Sequence, residues 1–131
     1  TKKLIDVIKS YGYEASIKMR LGLNKYEKEI RHIFDKLSYI KGIQYTGASK
    51  LMHLTIPEVF VMWDGYIRKA YNFKVGNSED YFNFLKLMQT EFSGFGGKDK
   101  RTLAKCIDEY NYVKFTLPAL ERNRNKKKRE K

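Results

Sequence analysis

Apolar residues return at three- and four-residue intervals along nearly the whole chain, and no sustained alternation of apolar and polar residues competes with that rhythm. A period near 3.6 gathers side chains on one face of a helix, whereas a half-wet strand needs a period of two. Leu4, Ile5, Ile8 and Tyr11 form the first stripe, with Gly12 as its stop. Tyr26, Ile30, Ile33, Phe34 and Leu37 form the second behind Asn24 as N-cap, with Lys25, Lys28, Glu29, Arg31 and Lys36 opposite. A third helix is expected over about residues 46–54. Pro57 then opens a brief helical segment near 58–61, and Asp64 caps a helix holding Ile67, Ala70 and Tyr71. The turn Lys74-Val75-Gly76-Asn77-Ser78 supplies a cap for Tyr81, Phe82, Leu85 and Met88. After a loop at Ser93-Gly94-Phe95-Gly96-Gly97, a long last helix carries Leu103, Ile107, Tyr110 and Val113 or Lys114. Only residues 112–117 also read as a strand. The expected fold is all-α, a compact single-domain bundle of about five to six helices.

Two domains of behaviour are expected. Residues 1–118 form the helical domain, and 119–131 a mobile basic tail. Residues 121–131 hold seven Lys or Arg, two Glu and no apolar side chain, a local +5 within a total of +12. Such a block cannot bury enough surface to order itself. The folded part keeps the remaining +7, so basicity is not confined to an appendage. A surplus this large implies an anionic partner, and the phosphate backbone of DNA or RNA is the first choice.

Composition excludes several classes. Apolar residues make up 42% and aromatics 15%, too many for a chain disordered by composition. Cys106 is the single cysteine, so no internal disulfide forms, and neither His32 nor His53 has a metal-ligand partner at helical spacing. No metal and no cofactor is expected. No apolar run reaches the ~18 residues that span a bilayer, and Thr1-Lys2-Lys3 leads into no signal-peptide core. The expectation is an intracellular, cytoplasmic protein whose oligomeric state the sequence leaves open. Gly94-Phe95-Gly96-Gly97-Lys98 lacks the spacing of a phosphate loop and follows a helix instead of a strand.

The segment from Lys41 to Arg68 concentrates the chemistry. Gly42 and Gly47 lead into a helix bearing Ser49 and Lys50, the apolar stretch 51–54 follows, and Val61-Met62-Trp63-Asp64 opens the next helix with Ile67-Arg68. On these residues the chain resembles the helix-hairpin-helix region of the DNA glycosylase superfamily over about residues 41–70. Here Gly42-Ile43-Gln44-Tyr45-Thr46-Gly47 stands in place of that family's compact glycine-x-glycine turn. The resemblance implies a DNA N-glycosylase or abasic-site lyase with catalytic Lys50 and Asp64, the lysine as amine nucleophile and the carboxylate assisting glycosidic cleavage. A helix entered through a glycine turn also offers N–H groups to a phosphate. Lys41, Tyr45, Gly47, Ser49, Trp63, Arg68, Lys98 and Arg101 are the expected nucleic-acid contacts, with Tyr45 and Trp63 stacking on bases and the cations on phosphates.

Each of these residues has a competing structural assignment. Asp64 caps a helix, Lys50 snorkels to solvent, Trp63 anchors the core, and His53 and Cys106 sit inside. The leading functional expectation is a nucleic-acid-binding helical domain, with base excision as its enzymatic form. The alternative is a non-catalytic adaptor docking on acidic partners or membrane surfaces.

Overall fold

The computed structural model describes residues 23–57, 59–92 and 103–130. The stripe expected at Leu4, Ile5, Ile8 and Tyr11, the loop at 93–97, and the expected contacts Lys98 and Arg101 lie outside the described residues. A 3-10 turn at Asn24–Tyr26 leads into α1 (Glu27–Ser38), followed by α2 (Gln44–Thr55), α3 (Gly65–Ala70), α4 (Ser78–Glu91) and α5 (Leu103–Asn111). A π-helical turn, Tyr112–Thr116, then joins α5 to α6 (Leu117–Arg129) without a break. Among the described residues there is no strand, and the fold is all-α as expected.

α1 lies against both α2 and α4, and α3 packs on the π turn. The core is built where their apolar stripes meet: Ile30 and Phe34 from α1, Ala48 and Met52 from α2, Ile107 from α5, and Tyr81, Phe82, Phe84, Leu85 and Met88 from α4. Its centre is aromatic. The Phe34 and Tyr81 rings stack at 4.7 Å, and Trp63 meets Tyr81 edge-on at 5.1 Å. Such pairs contribute roughly 0.5–1.5 kcal/mol each beyond their buried area.

Three local expectations differ from the structure, and one left open is settled by it. Asn24 makes no cap bond; the chain enters α1 through the 3-10 turn instead, and Leu23 is buried beneath it. Pro57 opens no helix. The chain makes a turn in which Val59 and Phe60 both donate to the Ile56 carbonyl, and then runs irregularly through residues 60–64. The reason is burial: Phe60, Val61 and Trp63 are all driven into the core from this short stretch, on more than one side. Residues 112–117, which read either as part of the last helix or as a strand, are helical. Their aromatic and β-branched composition lowers helix propensity, and Pro118 has no N–H to bond the carbonyl four residues back. The ladder widens to a π turn at that point, where a proline disturbs it.

The last difference concerns residues 119–131. The segment expected as a mobile tail is helical through Arg129, because it continues a helix already nucleated and holds no glycine or β-branched residue. Lys126, Lys127, Lys128 and Arg129 fall in its last turn, where cations complement the helix dipole. Its solvation is as the charge pattern implies, with every residue from Leu120 to Glu130 exposed.

Candidate nucleic-acid interface

Residues 60–63 explain much of the polar chemistry inside the protein. A buried stretch outside any helix leaves its own N–H and C=O groups without ladder partners, and each must be bonded some other way. Side chains from three helices do this. His53 Nδ1 on α2 lies 2.7 Å from the Phe60 carbonyl, and Tyr81 Oη on α4 donates to the Val61 carbonyl at 2.8 Å. The Met62 N–H donates to Asp108 Oδ1 on α5 at 2.8 Å, and the Trp63 N–H to Ser49 Oγ at 3.1 Å. The Ser49 hydroxyl in turn lies 2.8 Å from the Thr46 carbonyl and 3.2 Å from that of Trp63, one proton serving both.

Because a carbonyl only accepts, His53 carries its proton on Nδ1. The same nitrogen stands 3.3 Å from Asp108 Oδ2, an oxygen that receives no hydrogen bond. The shorter contact to Phe60 claims the proton. Burial pushes the Asp108 carboxyl up to about 6, against the Met62 N–H and the nearby His53 and Lys105, which hold it down. Burial, with Asp108 close by, likewise pushes the Tyr81 hydroxyl well above its ordinary value. A histidine–carboxylate pair of this kind can run acid–base chemistry when it faces a substrate. Here both members are buried, and the bonds they make hold the 60–63 segment.

Asp64 is engaged on both oxygens. Its backbone is extended, Oδ1 accepts from the Ile67 N–H at 2.9 Å as the N-cap of α3, and Oδ2 accepts from Thr116 Oγ1 at 2.6 Å. The cap was legible in the sequence. The Thr116 bond, which ties α3 to the π turn, was not. Lys50 lies on an exposed face of α2 and makes no hydrogen bond or ion pair with a described residue. The two residues assigned to catalysis by resemblance therefore do not bond each other.

Four of the expected nucleic-acid contacts come together, but as a structural network. Trp63 is 1% exposed and Ser49 fully buried, so neither reaches a nucleic acid in this fold, a correction to both assignments. The Trp63 indole N–H donates to the Tyr45 carbonyl at 3.2 Å. The Arg68 guanidinium lies over the Trp63 ring at 5.2 Å and donates through Nη1 to Thr46 Oγ1 at 3.0 Å. Tyr45 is 38% exposed, its ring stacked at 6.0 Å on Phe34. Gly47 serves close packing: a Cβ there would stand 2.9 Å from Ile43 Cγ2. Lys41 is exposed beside Tyr39 and Ile40 in the α1–α2 turn, where Gly42 takes φ +87°.

Two exposed basic features remain. α6 presents Arg122, Arg124, Lys126, Lys127, Lys128 and Arg129 to solvent, none ion-paired to a described residue. It is anchored at its midpoint by Asn123, whose Nδ2 donates to Tyr66 Oη of α3 at 3.0 Å. The second is a depression of about 490 Å³ lined by Gly65, Arg68, Lys69, Asn72, Phe73 and Lys74. Of its cations, Arg68 was an expected nucleic-acid contact, and Lys74 was expected only as part of a turn. Among the described residues, no three His, Cys, Asp or Glu gather as a metal-binding group, and no helix is long and apolar enough to cross a membrane. No family model, curated protein or solved structure matches this chain.

Proposed function

We propose that this domain binds nucleic acid through its phosphate backbone, with α6 as the principal contact and without reading base sequence. The observation that carries the reading is a helix whose cations at 122–129 are all exposed and have no ion-pair partner among the described residues. Side chains at 122, 126 and 129 fall on one stripe and those at 124, 127 and 128 on another, so positive charge surrounds the axis. Like charges four residues apart, as at Arg122 and Lys126 or Arg124 and Lys128, weaken an isolated helix. A polyanion relieves that repulsion and releases its own counterions on contact.

Bond cleavage is left out of the proposal. Both Asp64 oxygens already accept hydrogen bonds from the protein, and Lys50 is exposed to solvent with no bond to a described residue, where nothing desolvates its amine. Borohydride treatment with an abasic-site oligonucleotide is expected to trap no Lys50 adduct.

Fluorescence anisotropy with labelled oligonucleotides across a salt series tests the reading. Affinity should fall steeply as salt rises, with a logarithmic slope near −0.9 per phosphate neutralised on duplex DNA. Truncation after Leu120 should flatten that slope and leave a weaker residual binding. Blank titrations at low ionic strength would refute the proposal. So would binding to an acidic protein or anionic vesicles with none to nucleic acid.

A further inference from the structure

α3 ends in a motif that shapes its surroundings. The Phe73 N–H donates to the Arg68 carbonyl at 2.8 Å and the Asn72 N–H to the Lys69 carbonyl at 3.2 Å, with Asn72 in the left-handed region at φ +66°. This is a Schellman closure, in which asparagine stands where glycine is usual. It satisfies the last carbonyls of α3, so they no longer repel an approaching anion strongly. It also folds Phe73 and Lys74 back beside Arg68 and Lys69, and these side chains form the depression described above.

Arg68 is the unusual member. Its guanidinium is half-buried and wedged between two glycines. A Cβ on Gly76 would stand 2.9 Å from both Cδ and Nε, and one on Gly65 would lie 3.8 Å from Nη2. Any side chain at position 76, where φ is +81°, would displace the arginine. Of the five donors an arginine carries, one is bonded among the described residues, to the neutral hydroxyl of Thr46. Among the described residues, no carboxylate stands within ion-pair distance. Asp64 attracts it only from further away, with both oxygens already engaged, and Asp80 Oδ2 accepts from the Gly76 N–H. Burial consequently pulls the guanidinium down from its ordinary value more than Asp64 holds it up. A half-desolvated cation without a counterion is unfavourable, and Lys69 and Lys74 beside it add charge of the same sign.

We infer that the depression formed by Arg68, Lys69 and Lys74 is a phosphate seat, in which the planar fork of Arg68 bonds the anion and the two lysines enclose it. Guanidinium matches the geometry of phosphate oxygens, and charge-assisted bonds of this type are among the strongest available to a side chain. The ligand class is a phosphate group, either free or carried in a nucleic-acid backbone. Only the second source rests on the function proposed above.

The test uses the full chain labelled with nitrogen-15, with the Arg68 Nε–H signal and the Lys69, Asn72 and Lys74 amides read by NMR. Inorganic phosphate should move these signals saturably, and chloride at equal ionic strength should not. Lys69→Glu/Lys74→Glu, which alters only exposed side chains, should weaken the phosphate response about tenfold or more with an unchanged melting temperature. Arg68→Lys should also weaken it, but the double variant carries the test if that substitution unsettles the fold. Equal shifts with chloride, or an unchanged response in the folded double variant, would overturn the inference. An oligonucleotide that moves the same signals identifies backbone phosphate as the source. If it binds without moving them, the seat takes a free phosphate. Failure of α6 to bind nucleic acid would leave the inorganic phosphate response intact, so the two proposals fail separately.

Discussion

Residues 60–64 and helix α6 use polar chemistry in opposite ways. In the first, His53, Asp108, Ser49 and Tyr81 are drawn inward and bond backbone groups of one buried stretch, while Asp64 at its end caps α3 and accepts from Thr116. In the second, six cations stand in water with no partner among the described residues. The same residue classes thus do two jobs, and position decides which. A polar side chain bonded to buried backbone fixes the fold, because losing it orphans a group that water cannot reach. A charge left without an internal partner contributes little to folding and is available to a ligand.

Substitutions in the two regions should have very different costs. The largest loss should come from Trp63→Ala, which removes a ring at the aromatic centre, the anchor over which Arg68 lies and the bond to Tyr45. A cost of about 3–5 kcal/mol in urea unfolding is expected, much of a small domain's total stability. Asp64→Ala should follow at about 2 kcal/mol, since it removes a cap and leaves the Thr116 hydroxyl without its acceptor. Combined with Thr116→Val it should cost clearly less than the two single changes added together, and strict additivity would mean the bond contributes nothing.

Asp108 gives a pH-dependent version of the comparison. Its folded value of about 6 stands above the ordinary 3.8, so its protonated form is the one the fold favours. The associated stability is fully present below the ordinary value and is lost as pH rises through the folded one. Asp108→Asn is neutral at every pH. Relative to the parent, the variant should therefore gain about 1–3 kcal/mol between about pH 4 and about pH 7, and any constant offset from the changed contacts cancels. Parallel stability curves would sink this account. The smallest effect on folding is expected from Lys126→Gln/Lys127→Gln/Lys128→Gln on α6, within about 0.5 kcal/mol. The same variant should visibly flatten the salt dependence of nucleic-acid binding, so it separates the two regions most cleanly.

The helices were legible because their signals are local. The 3.6-residue stripe that buries Ile30 and Phe34, or Tyr81, Leu85 and Met88, can be counted along the chain, as can Asp64 as a cap. What sequence could not supply is pairing across distance. Nothing near His53 announces Asp108, and nothing near Asp64 announces Thr116, because those meetings depend on how α2, α3 and α5 settle around residues 60–63. Trp63 was read both as a stacking surface and as a core anchor. The deciding fact, its burial beneath Arg68 and against Tyr81 and Phe84, belongs to packing. The basic terminus was read as mobile because charge patterning treats it alone, whereas the structure presents it as the outer end of a helix begun at Leu103.

The π turn has a consequence for how this protein tolerates change in length. A bulge of this kind behaves as one residue inserted into an α-helix. Excising a single residue from Tyr112–Thr116 would let the spiral regularise, and everything beyond would swivel by about 100° about the axis. Thr116 would swing off Asp64 and Asn123 off Tyr66, while the outer rod kept its whole complement of lysines and arginines. The aim of that rod is set by residue count, and a one-codon deletion there would redirect it without touching a single charge.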